Sequence, residues 1–101
     1  MILPAEISDG NVLTELALTS KSFWGYNKDL VESWRTDLTV TPEMISERMV
    51  FKFLDNQMLA GFYMLNPPKE NLIELEMLFV LPEFIGKGIG KKLLIHAICS
   101  S

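Results

Sequence analysis

Residues 72–101 decide the fold: LIELEMLFVLP (72–82) reads as a strand, EFIGKGIGK (83–91) as a glycine-rich turn, and KLLIHAI (92–98) as the body of an apolar helix. The first turn of a helix carries unpaired N–H groups and the positive end of the helix dipole, so a helix start suits an anion. Gly86, Gly88 and Gly90 alternate through the turn; they present no side chain to an approaching ligand and accept positive φ. Lys87, Lys91 and Lys92 add positive charge there. Lysines at the positive end of a helix dipole are mildly unfavourable without an anion, so three of them strengthen the reading of this turn as a phosphate cradle. A dinucleotide-binding fingerprint needs glycines spaced G-x-G-x-x-G, and Gly90 is followed by Lys91, Lys92 and Leu93, so that motif is excluded.

The 101 residues suffice for one domain with a modest core. Hydrophobic residues make up 49% of the chain, a high share for a small domain, which predicts apolar surface covered by a partner. A net charge of −4 argues against nucleic acid, whose binders carry a basic face. Cys99 is the single cysteine, which leaves no intrachain disulfide and no cysteine-based zinc framework and fits a reducing, cytoplasmic location. Met1 to Asp9 lacks the basic start and apolar core of a signal peptide, and no apolar run approaches ~20 residues, so no membrane partner is expected.

In chain order, Ile2 and Leu3 before Pro4 predict a short edge strand, because Pro4 has no ladder donor. Ser8 and Asp9 are capping types, and Val12, Leu13, Leu16 and Ala17 recur at helical spacing, giving a helix from about Asp9 to Ser22. Asn27 caps a second helix in which Leu30, Val31 and Trp34 share a face, and Thr41-Pro42 starts a third. Met49 to Leu54 and Met58 to Leu65 are β-prone runs joined by Asp55-Asn56-Gln57, a hairpin signal. Asn66-Pro67-Pro68 breaks the second run, and Leu72 to Leu81 forms a long third strand of the meander.

The stretch VLPEFIGKGIGKKLL (80–94) resembles the acetyl-coenzyme A signature of the GNAT N-acetyltransferase superfamily: Arg or Gln, two residues, Gly, one residue, then Gly or Ala. The match falls on Ile85 to Gly90; Gly88 and Gly90 fit, whereas Ile85 stands at the Arg/Gln position, so one side-chain contact is lost and backbone donors carry the pyrophosphate. The order of elements also follows the N-terminal part of that family, so the resemblance covers the entire chain. It implies an α/β (α+β) fold, a mixed and mainly antiparallel sheet with flanking helices, ending after the pyrophosphate-loop helix, with residues 1–101 as a single partial domain. The family fold continues with a further central strand that splays from the long strand to admit the pantetheine arm. An unpaired edge promotes association. The expectation is therefore a homodimer whose chains complete each other, or a longer gene product.

The resemblance further implies acetyl-CoA as cosubstrate, no metal, and a small-molecule or peptide amine as acceptor. On the cofactor side it assigns the backbone N–H groups near Phe79 and Val80 to the acyl carbonyl, with ordinary ladder pairing as the competing reading. Ile85, Gly86, Lys87, Gly88, Ile89, Gly90, Lys91 and Lys92 form the pyrophosphate turn, with Lys87 on the diphosphate and Lys92 on a distal phosphate. Acetyl transfer to an amine needs a base for the ammonium, a polarised thioester carbonyl and a proton for the leaving thiolate. Strand alternation sets Glu74, Glu76, Leu78 and Val80 on one face, where apolar neighbours favour proton transfer to a carboxylate; Glu76, then Glu74, are the base candidates. The competing reading is that both simply mark the wetter face. The Tyr that the family commonly uses as acid lies on a later helix that this chain does not contain.

The resemblance implies Trp24 and Tyr26 on the acceptor side of the cleft, with closure of a core at the helix junction as the competing reading, and Trp34 reads as a core residue. His96 reads as a surface or boundary residue and Cys99 as a packed or incidental thiol. A coenzyme A-binding or dimerising module without turnover is the alternative. A metal enzyme finds no ligand cluster to support it.

Overall fold

The computed structural model describes residues 1–23, 25, 27–67, 72 and 74–100. Ile2–Pro4 forms β1, Met49–Asp55 β2, Met58–Leu65 β3 and Leu75–Val80 β4, all antiparallel in the order β1-β2-β3-β4. Pro4 sits in an edge strand, as its missing donor requires. The β2–β3 hairpin turns at Asn56 and Gln57 with φ of 52° and 69°. Two successive positive φ values give a primed turn, whose twist matches that of the flanking strands.

A 3₁₀ turn at Ile7–Asp9 leads into α1, Gly10–Ser22. Leu13, Leu16 and Ala17 are buried as their spacing predicts, but Val12 is 53% exposed and Leu18 is in the core instead. The start of α1 lies hard against residue 40: a Cβ added at Gly10 would stand 2.7 Å from the Val40 carbonyl oxygen. Thr14 clamps this contact, its hydroxyl donating to the Gly10 carbonyl at 2.8 Å and accepting the Val40 N–H at 2.8 Å.

Asn27 caps α2, Lys28–Ser33, by accepting the Asp29 N–H at 2.7 Å. The expected single helix through Trp34 is split. The Trp34 N–H bonds to the Val31 carbonyl at 3.0 Å, a tightened three-residue closure at φ −88° and ψ −2°, and α3 restarts at Arg35–Leu38. Val31 is buried and Trp34 packs on the core, but Leu30 is exposed, so the three do not share one buried face. Thr41 caps α4, Pro42–Glu47, by accepting the Met44 N–H at 3.1 Å, with Pro42 in the first turn. Among the described residues four helices thus precede β2, where three were expected.

The third long strand is also shorter than expected. Leu72 makes only an isolated bridge, and Glu74 lies outside the strand, its carbonyl accepting the Asn66 N–H at 2.9 Å. Met64 pairs with Met77 and Leu65 with Leu75, which leaves Glu76 as an extra residue in a β-bulge. Leu75 therefore shares the face of Leu65, and the strict alternation that placed Glu74 and Glu76 in line with Leu78 and Val80 fails at this point.

The sheet has a core on each side. Helices α1 to α4 cover Val50, Phe62, Met64 and Met77. The helix α5, Ile89–Ser100, covers the opposite face, where Ile89, Leu93 and Ala97 meet Phe53, Ala60, Tyr63 and Leu65. The outer face of α5 leaves Leu94, Ile95 and Ile98 exposed. No helix among the described residues is long and apolar enough to cross a membrane.

One ion pair ties the first turn to the sheet: the Lys52 ammonium lies 2.7 Å from the Asp9 carboxylate, which also accepts the Glu6 N–H at 2.8 Å. Partial burial pushes the Asp9 carboxyl up, but Lys52 and the Glu6 N–H outweigh it and hold the group below its ordinary value. A depressed folded-state value contributes stability that is present above the unfolded value near 4 and is lost as pH falls through the folded one. Urea midpoints should therefore drop below about pH 4, and Lys52→Met should flatten that acid limb. A Cβ at Gly61 would stand 2.6 Å from the Phe79 carbonyl oxygen and 3.2 Å from Leu93 Cδ1. Gly61→Ala should cost about 1–3 kcal/mol in urea unfolding, the usual range for overpacking; an unchanged midpoint would contradict the close approach of β3, β4 and α5.

Candidate functional site

After Val80 the chain leaves the sheet through a 3₁₀ turn at Pro82–Phe84, held by bonds from the Leu81 N–H to the Ala60 carbonyl at 2.8 Å and from the Phe84 N–H to the Leu81 carbonyl at 2.9 Å. Phe84 is buried and anchors the loop. Gly86 and Gly88 then take φ of 94° and 77°, and a Cβ at either would meet nothing within 4 Å. The backbone conformation, not crowding, makes these positions glycine, and the space in front of them is open. The first α-helical bond of α5 runs from the Lys92 N–H to the Gly88 carbonyl at 3.0 Å. The N–H groups of Ile89, Gly90 and Lys91 precede it, and no i−4 carbonyl within the helix serves them. Val80, Phe84, Ile85, Gly86, Gly88, Ile89 and Gly90 line one open concavity of about 360 Å³.

Beside this cradle β4 presents its outer edge, to which no strand is paired among the described residues. The Leu81 N–H points to β3, and Gly61 is aligned with Val80. Successive peptide groups alternate in direction, so the N–H and carbonyl groups of Leu78 and Val80 face outward while the Phe79 N–H turns into the ladder. Phe79 is therefore not an available donor, contrary to expectation; Leu78 joins Val80 instead. The Val80 carbonyl is not bare, because the buried Ser20 hydroxyl of α1 donates to it at 3.0 Å.

The three lysines stand apart from the concavity. Lys91 is exposed. The Lys87 ammonium lies 3.5 Å from the Asp55 carboxylate on the β2–β3 turn and 5.3 Å from the centre of the Phe84 ring. The Lys92 ammonium lies 5.9 Å from the centre of the Phe53 ring and lines a second concavity, of about 460 Å³, with Met1 and residues 53–57. Positive potential in the cradle itself thus comes from backbone N–H groups and the α5 dipole.

At the far end of β4, Glu74 and Glu76 are both exposed, so the apolar surroundings expected of a base are not provided by the described residues. Glu76 is nonetheless held: the Asn66 side-chain amide donates to it at 2.9 Å, and the same side chain's Oδ1 is buried with no partner among the described residues. Trp24 and Tyr26, the acceptor-side candidates, lie outside the described residues.

Sequence reasoning passed over Ser20, Asp55 and Asn66, whose partners lie in distant segments and leave no local pattern. His96 is a half-buried boundary residue as expected. Its Nδ1 lies 2.7 Å from the hydroxyl of the fully buried Tyr63, and the Phe51 ring centre is 4.9 Å from its own, which ties α5 to the sheet. Cys99 is exposed.

The same architecture recurs in solved structures. PaiA N-acetyltransferase from Thermoplasma acidophilum, in complex with coenzyme A, is 27% identical with a TM-score of 0.81, over 96% of this chain and 68% of that one. A GCN5-related N-acetyltransferase from Rhodopseudomonas palustris (19% identity, TM-score 0.77, 96% of this chain and 62% of that one) shares the fold. So does a GNAT family acetyltransferase from Brucella melitensis in complex with acetyl-CoA (16% identity, TM-score 0.67, 99% and 66%). This chain spans roughly two thirds of the length of each, between 62% and 68%. No curated protein matches it. The model of the Acetyltransferase (GNAT) family matches residues 13–99, which contain the cradle, β4 and the helices that carry them. On that match the chain belongs to the GNAT acetyltransferase family.

Proposed function

We propose that this chain is a partial GNAT domain that binds acetyl-CoA and transfers acetyl from its thioester to a primary amine. The observation that carries the reading is the turn at Gly86 and Gly88, whose positive φ values lead into α5 at an open concavity lined by Ile89, Gly90 and Val80, the last on a strand that is an edge of the sheet among the described residues. The family and the coenzyme A-bound relative from Thermoplasma acidophilum support it.

In this reading the N–H groups of Gly88, Ile89, Gly90 and Lys91 hold the pyrophosphate, with Ile85 and Gly86 shaping the wall and Lys87 and Lys92 flanking it. The outward N–H groups of Leu78 and Val80 align the pantetheine arm and polarise the acyl carbonyl. Bound acetyl-CoA supplies the activated acyl group. Glu76, oriented by Asn66, takes the proton from the attacking ammonium directly or through a water, with Glu74 as the second candidate. Trp24 and Tyr26 are the residues assigned to acceptor binding. The outer edge of β4 is completed by another strand, from a second copy in a homodimer or from a longer chain, in the cytoplasm. A module that binds coenzyme A without turnover is the second reading, favoured by the solvent exposure of Glu74 and Glu76.

Calorimetric titration with acetyl-CoA should give one site per chain, and Gly88→Asp, which sets a carboxylate in the cradle on a left-handed backbone, should abolish it. With a panel of primary amines, thiol release should fall about 100-fold in Glu76→Gln, the usual size of a general-base effect, while acetyl-CoA affinity is kept. Binding without release from any amine would select the second reading. No binding, with Gly88→Asp unchanged, would sink both.

A further inference from the structure

The cradle concavity is lined by no cation, although three lysines surround it in sequence. Two of those lysines turn the same way, toward the β2–β3 hairpin. Lys87 reaches Asp55 at 3.5 Å, and Lys92 lines, together with Asp55, the neighbouring concavity of about 460 Å³. The hairpin cannot easily move away. Asp55 is the last residue of β2, aligned with Met58, and the turn it opens is fixed by two successive positive-φ residues. The loop is equally constrained, because Phe84 is buried and Gly86 and Gly88 hold Lys87 between them in left-handed conformations.

We propose that Asp55 is the affinity-limiting residue of the cradle, an internal carboxylate that competes with the phosphate groups of the ligand for Lys87. The inference rests on the reading of the cradle as an acetyl-CoA site. A pair this exposed, with the Lys87 side chain 58% and Asp55 31% accessible, is weak, so an arriving polyanion can draw the ammonium across the turn. The exchange sets the Asp55 contact against the new phosphate contact, and it leaves the Asp55 carboxylate unpaired near a highly negative ligand. Both effects lower affinity, and both are electrostatic. The hairpin therefore decides how tightly the donor is held and how readily the charged product leaves.

The test is calorimetric titration of the whole chain with acetyl-CoA, and separately with inorganic pyrophosphate, for the wild type, Asp55→Asn, Lys87→Gln and the double variant. Asp55→Asn should bind both probes roughly three- to tenfold more tightly at low ionic strength, with the gain shrinking as salt rises through the screening range. Lys87→Gln should weaken binding, and in that background Asp55→Asn should gain clearly less. Asp37→Asn, on α3 across the sheet, should leave both affinities unchanged. Tighter binding of the same size in Asp37→Asn, or an undiminished Asp55→Asn gain without Lys87, would reduce the effect to net charge and overturn the competition. A wild type that binds while Asp55→Asn binds no more tightly would overturn the inference and leave the acetyl-CoA reading standing. Absence of binding in every variant would remove that reading itself. Urea midpoints for each variant separate a loss of fold from a loss of affinity, and Lys87→Gln tests the same ion pair from its other side.

Discussion

Burial of β3 on both faces fixes the register on which everything else depends. Phe62 and Met64 point into the core under α1 to α4, while Tyr63 and Leu65 point into the core under α5. A slip of one residue would exchange these two sets between differently shaped layers. With β3 so fixed, β4 can pair in only one alignment, and that alignment decides which peptide groups turn outward. Leu78 and Val80 are presented at the open edge because Gly61 faces Val80 and the Leu81 N–H is spent on Ala60. Gly61 belongs to the same constraint, since a side chain there would strike the Phe79 carbonyl.

The cradle extends that edge. Pro82 and the buried Phe84 end the strand, and two left-handed glycines swing the chain so that α5 begins beside Val80. Val80 at the end of the strand and Ile89 and Gly90 in the first turn of the helix then line one concavity. In the proposed reading such a site is made of backbone and so tolerates Ile85 where the acetyl-coenzyme A signature has Arg or Gln. Backbone donors on a helix start are fixed in place and need no side-chain ordering when an anion arrives. The lysines act differently: they set the field around the site, and Asp55 sets how much of that field is free.

Much of this was legible in the chain because local rules govern it. Alternation and helical spacing located the strands and helices, Pro4 marked the edge, Asp55-Asn56-Gln57 marked the hairpin, and the spaced glycines marked the turn into α5. What escaped depends on contacts between distant segments. The bulge at Glu76 goes with two bonds from Asn66, its N–H to the Glu74 carbonyl and its side-chain amide to the Glu76 carboxylate, and nothing in LIELEMLFV reports it. The break at Trp34 follows from a three-residue closure that helix propensity does not forbid. The inward turn of the Phe79 N–H needs the ladder phase, which only the pairing with β3 supplies. The direction of Lys87 needs Asp55, more than thirty residues earlier in the chain.

The central claim is that the first-turn N–H groups of α5 and the outward N–H groups of β4 form one binding surface. Amide chemical shifts of the ¹⁵N-labelled chain, followed during titration with acetyl-CoA, test it directly. The account predicts that the largest changes fall on Gly88, Ile89, Gly90 and Lys91, with Leu78 and Val80 moving at the same ligand concentration and Phe79 moving less than either. Changes centred on the hairpin concavity at residues 53–57, with the amides of residues 88–91 unmoved, would contradict it.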